Sequence, residues 1–139
     1  MNPQQEELHA IKPANQLTVA ELQTVCHQRS HAAGWWDDYI AMPDRFRKYF
    51  LASRYALIHS EATEAFEGLR KTRMDDHLPR RKGEEVELAD LLIRVFDYAG
   101  AMRFDLAGAI AEKLAYNAQR HDHTLEAREA EGGNRLARR

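Results

Sequence analysis

The chain is predicted to be all-α, and three observations carry that prediction. Apolar residues recur at helical spacing in several separate stretches, helix-capping signals stand at the heads of those stretches, and no stretch shows the alternation of a half-buried strand. Thr18 followed by Glu21 has the spacing of a capping box, in which hydroxyl and carboxylate satisfy the free N–H groups of a starting helix. Leu22, Val25, Cys26 and Arg29 follow at helical spacing, and Gly34 is a stop. Pro43 and Asp44 open a second helix, expected to run from about Asp44 to Lys71. Residues 72 to 83 contain Pro79 and Gly83 and read as a loop. A third helix is expected over Glu84 to Met102, with Leu88, Leu91, Leu92, Val95, Tyr98 and Ala99 on its apolar face. Asp105 is a candidate cap for a fourth, from Leu106 to about Arg120.

At 139 residues the chain has the length of one domain, and 44% hydrophobic with 30% charged residues can build a core. The organisation expected is a flexible segment over 1–16, the helical domain over 17–120 and a polar tail over 121–139. Twenty basic residues against 22 acidic ones leave a net charge of -2, which argues against binding polymeric nucleic acid through bulk charge. A single cysteine, Cys26, suits a reducing compartment, and next to His27 it reads as a small buried residue rather than a nucleophile. The first residues carry no basic and apolar pattern of a secretory signal, and no apolar run is long enough for a membrane span. The expectation is a cytoplasmic protein with no membrane partner. So small a helical domain, with so long a second helix, is also expected to be helped by oligomerisation.

The chemistry is carried by acids. Glu61 and Glu64 stand three apart on the second helix and project from one face, and Glu87 and Asp90 repeat that spacing on the third. Antiparallel packing around the loop would set the pairs opposite each other. Spacing alone singles out nothing, because Glu64/Glu67, Glu84/Glu87 and Glu126/Glu129 share it. Position does more. At about 100° per residue, Glu61 falls between Ile58 and Ala65 inside an apolar stripe, and Glu87 and Asp90 flank the stripe of Leu91, Val95, Tyr98 and Met102. Carboxylates crowded at an apolar interface repel one another and are costly to desolvate unless paired. Arg94 is the main basic residue at the same height. A divalent cation resolves the conflict, and hard oxygen donors on rigid helices suit Mg²⁺, with Mn²⁺ as a substitute.

The run from Leu57 to Arg70 (Leu-Ile-His-Ser-Glu-Ala-Thr-Glu-Ala-Phe-Glu-Gly-Leu-Arg), followed by Glu85-Val-Glu-Leu-Ala-Asp-Leu-Leu-Ile-Arg94, resembles the MazG-like all-α nucleoside triphosphate pyrophosphohydrolases. Their signature is Glu-x-x-Glu, a spacer, then Glu-x-x-Asp. The stretch Glu112-Lys-Leu-Ala-Tyr-Asn-Ala-Gln-Arg120 is similar to the Lys-x-x-x-Asn-x-x-Arg that follows. The resemblance implies a four-helix MazG-like fold completed as a homodimer or homotetramer. It also implies Mg²⁺-dependent cleavage of a (d)NTP to the monophosphate and pyrophosphate, in the service of nucleotide-pool cleaning. Glu61, Glu64, Glu87 and Asp90 would hold the metal, with Glu64 or Glu61 as the base that takes a proton from water. Glu84, on the same side of its helix, is an outer candidate. Lys113 and Arg120 would contact phosphates and Asn117 the base or sugar, all three on one helical face; cations near a helix C-terminus also have a purely structural explanation. His27 and Trp36 match the positions that hold the base in dCTP-pyrophosphatase-type members, and Trp35, adjacent, competes for that role. The basic residues between Arg70 and Lys82 read as a solvated loop rather than a phosphate-attracting rim.

Three other readings are separable. A non-catalytic helical dimer that binds a protein partner would use the long helix and leave the carboxylates idle. A di-iron bundle needs Glu-x-x-His on two helices, and only Glu6/His9 has that spacing. A phosphoribosyl-ATP hydrolase would share the metal site but makes less use of His27 and Trp36.

Overall fold

The structure, a computed structural model, describes residues 12–120 together with Thr124 and Glu126. The expectations for residues 1–11 and for the rest of 121–139 lie outside the described residues. Among the described residues a 3₁₀ turn at Ala14–Gln16 is followed by the helices α1 (Val19–Ala32), α2 (Asp37–Ala41), α3 (Asp44–Lys71), α4 (Gly83–Ala101) and α5 (Leu106–Gln119). Among the described residues there is no strand, only an isolated bridge between Met74 and Lys82. No described helix is long and apolar enough to cross a membrane.

Local chemistry accounts for the boundaries. At the head of α1, Thr18 Oγ1 accepts from the Glu21 N–H (3.3 Å), and the Glu21 carboxylate accepts from the Thr18 N–H (2.7 Å), the full capping box. Lys12 Nζ lies 2.8 Å from the same carboxylate. The Lys12 and Thr18 hydrogen bonds together hold the Glu21 carboxyl down at about 2. Past the end of α1, Gly34 takes φ +80°, a left-handed conformation suited to glycine. The short helix α2 has no counterpart in the sequence expectations, since five residues are too few to show a period. At the head of α5, Asp105 Oδ1 accepts from the Gly108 N–H at 2.9 Å, the expected cap.

The chain falls into two compact units, one ending at Phe104 and the other beginning at Asp105 with α5. In the first unit, α3 and α4 run antiparallel: Gly68 lies against Gly83 and Glu84, Glu61 meets Arg94, and Tyr55 packs on Tyr98 with ring centroids 4.7 Å apart. Helix α1 packs on a neighbouring face of α4 and is antiparallel to it too. Gln23 donates to the Phe104 carbonyl at 2.7 Å, and the His27 side chain lies against Gly100. Two glycines permit these approaches. A Cβ on Gly68 would stand 2.6 Å from the Glu84 backbone nitrogen, and one on Gly100 would stand 2.5 Å from His27 Cβ. The approach of α3 and α4 at Gly68 lies one to two turns from the acidic pairs.

Candidate metal centre

The packing of α3 on α4 brings three of the four expected carboxylates together. One oxygen each of Glu61, Glu87 and Asp90 lie within 4.8 Å of one another. Glu61 is 5% exposed, Glu87 is half-buried and Asp90 opens to solvent. Glu64 is exposed and stands outside that group, although it lines the same small pocket as Glu87, with Asp75 and Asp76 of the loop. Glu84, the outer candidate, is also absent from the group.

The cluster is only partly compensated. Burial, then the charges of Glu64 and Glu61, push the Glu87 carboxyl above its ordinary value, helped by a hydrogen bond with Glu61 and by the charge of Asp90. Burial and the Glu61 charge do the same to Asp90, and Asp75 adds to it while Arg94 opposes it. Arg94 supplies the one ion pair to the cluster among the described residues, its Nε donating to Glu61 Oε1. Three carboxylates with one guanidinium leave a formal charge of -2 (-3 + 1), the charge a dication neutralises.

The donor set fits a divalent cation. Opposite oxygens lie about 4.2 Å apart around Mg²⁺ and about 4.8 Å apart around Ca²⁺, so this spread suits a hard dication without choosing between them. Glu87 and Asp90, the more exposed members, have room to tighten on it.

His27 and Trp36 are also brought together, in a T-shaped contact with ring centroids 5.6 Å apart. Their meeting point is Asp97, which the sequence reading did not single out. Asp97 Oδ1 accepts from His27 Nδ1 (3.0 Å) and Trp36 Nε1 (2.8 Å), and Oδ2 accepts from Ser30 Oγ (2.7 Å). Trp36 is 2% exposed, with Phe50, Tyr39 and the Arg54 guanidinium against its ring. Trp35, at 56% exposure, is the indole that solvent reaches. A base stacking on Trp36 would therefore have to displace its packed neighbours. The Asp97 carboxylate in the apolar run from Leu91 to Tyr98 was the available signal, the same one that drew attention to Glu61.

Cys26, expected to be buried, is half-buried, and burial and the Asp97 charge push its thiol above its ordinary value. In the second unit, Lys113 and Asn117 lie on α5 and Arg120 caps its end. Lys113 Nζ sits over the Tyr116 ring at 4.7 Å, and the Arg120 N–H donates to the Asn117 carbonyl at 3.3 Å.

Compared with protein-family models, curated proteins and solved structures, the chain matches none.

Proposed function

We propose that this chain is a MazG-like, divalent-metal-dependent nucleoside triphosphate pyrophosphohydrolase that cleaves (d)NTP to (d)NMP and pyrophosphate. One observation carries the reading: Glu61, Glu87 and Asp90 converge across antiparallel helices with a single cationic partner among the described residues. A purely structural cluster would be matched by donors, as Asp97 is. A dication held there supplies neutralisation of phosphate charge and a bound water of lowered pKa. Glu61, buried and held by Arg94, is a fixed ligand. Glu64, exposed and outside the triad, is free to accept the proton of the attacking water, which favours it over Glu61 as the base. The roles of Lys113, Arg120 and Asn117 toward phosphate and sugar, and of His27 toward the base, rest on motif resemblance.

A homodimer or homotetramer belongs to the same reading. Leu88, Leu92 and Ile93 on α4 and Tyr55, Phe66 and Leu69 on α3 are all exposed large apolar side chains. Water-facing apolar groups in that number support the reading that another chain covers them. They equally favour the second reading, a non-catalytic helical interaction module.

A panel of canonical and modified triphosphates with Mg²⁺ and Mn²⁺, read by pyrophosphate release, tests the enzyme. Turnover lost in Glu61→Gln and Glu87→Gln with the fold retained supports it. No turnover by the parent protein above buffer on any member of the panel leaves the interaction module standing.

A further inference from the structure

We propose that a second part of the first unit, the cavity beside the acidic triad, binds the phosphate chain of a di- or triphosphate anion through Arg29, Arg54 and Arg94. The proposal deepens the pyrophosphohydrolase reading and rests on it for the class of ligand. The cavity holds about 430 Å³ and is lined by one arginine from each of three helices: Arg29 from α1, Arg54 from α3 and Arg94 from α4. That volume lies within the range of small-molecule sites, about 300–1,000 Å³, and exceeds what one phosphoryl group fills.

The charges on its wall are unevenly matched. Asp97 lines the cavity but is already taken by His27, Ser30 and Trp36. Asp90 lines it as well and belongs to the triad, so cavity and metal centre share a wall. Arg29 is exposed and has no ion pair with any described carboxylate. Arg54 is partly desolvated against Trp36 and Phe50, donates to the Trp35 carbonyl, and keeps a buried Nε without a hydrogen-bond partner. A buried guanidinium donor without an acceptor calls for one from outside the protein. Arg94 joins the two sites, since the same side chain lines the cavity and holds Glu61.

Guanidinium forks fit phosphate oxygens. A ligand lying between a dication and converging arginines must be anionic along its length. A phosphate chain meets both demands, one oxygen toward the triad and the others toward the forks. These arginines are distinct from Lys113 and Arg120, to which the motif assigns phosphate.

The test is calorimetric titration of inorganic pyrophosphate into the full chain in EDTA, so that no metal contributes. Saturable binding is expected. Arg29→Gln, at an exposed position, should keep the fold and weaken binding by about tenfold or more. Arg54→Lys, which keeps the charge and loses the fork, should also weaken it. Arg45→Gln, which removes a charge stacked on Phe46 in the first turn of α3, should leave binding unchanged. The proposal is overturned if pyrophosphate does not bind saturably, if Arg29→Gln and Arg54→Lys bind as the parent does, or if Arg45→Gln weakens binding equally. Triphosphate turnover by the parent protein alongside any of these results would sink the arginine site and leave the hydrolase reading intact. Arginine-dependent pyrophosphate binding without turnover of any triphosphate would do the reverse.

Discussion

Helix α4 carries two groups of acids near its packed faces, a few turns apart, and they are solved differently. Asp97 receives three donors, from His27, Ser30 and Trp36, and so ties α1 and the turn after it to α4. Glu87 and Asp90, with Glu61 opposite, receive one guanidinium among three carboxylates. Asp97 and Glu87 are both half-buried, and Glu61 is buried. What differs is the supply of hydrogen-bond donors, and that decides whether a carboxylate serves as a structural tie or stays available to a cation.

The largest expected effect lies at the saturated end. Asp97→Ala strands the Trp36 N–H and the Ser30 hydroxyl and should cost about 3–5 kcal/mol in urea unfolding, as for a broken buried pair. A loss under ~1 kcal/mol would erase the distinction between the two sites. Next comes the cation itself. At a hundredfold excess over its Kd, Mg²⁺ or Mn²⁺ should stabilise the folded chain by about 2.7 kcal/mol. EDTA should reverse the gain, which is read as a Tm shift that Glu87→Gln abolishes.

Gly68→Ala probes the packing that assembles the triad. The added Cβ meets backbone rather than a movable side chain, so about 1–3 kcal/mol should be lost and Mn²⁺ affinity should fall with it. Glu87→Gln without metal should go the other way, stabilising the protein by about 0.5 kcal/mol as like-charge repulsion is relieved. A clear destabilisation would mean that Glu87 is a tie like Asp97.

A further effect, far from both acidic groups, concerns the cap of α1. The Glu21 carboxyl is held below its ordinary value, so its contribution is complete above pH 4.5 and is lost as the pH falls through about 2. Thr18→Ala should cost about 1 kcal/mol in urea unfolding and leave most of that acid limb in place, because the Lys12 and backbone hydrogen bonds to Glu21 remain.

The helices were legible because their signals are local. The capping box at Thr18 and Glu21, the Asp105 cap and the uninterrupted run from Asp44 to Lys71 all act within a few residues, and each has its expected place in the structure. Glu61 was legible for a related reason: a charge inside an apolar stripe is visible from periodicity alone, and its burial agrees. The convergence of α3 and α4 was foreseen only as a consequence of antiparallel packing. Which acids meet, and which is left outside, was not foreseen.

The sequence by itself determined an all-α chain, the ends of its longer helices and the presence of acids where burial makes them costly, since these depend on spacing along one element. Tertiary structure alone decided that Glu64 stands apart from Glu61, that Trp36 is packed away while Trp35 faces solvent, and that Asp97 and three arginines line one cavity. Those outcomes depend on distances between residues far apart in the chain. The rotation of each helix about its axis and the close approach at Gly68 and Gly100 set those distances, and no local pattern records them.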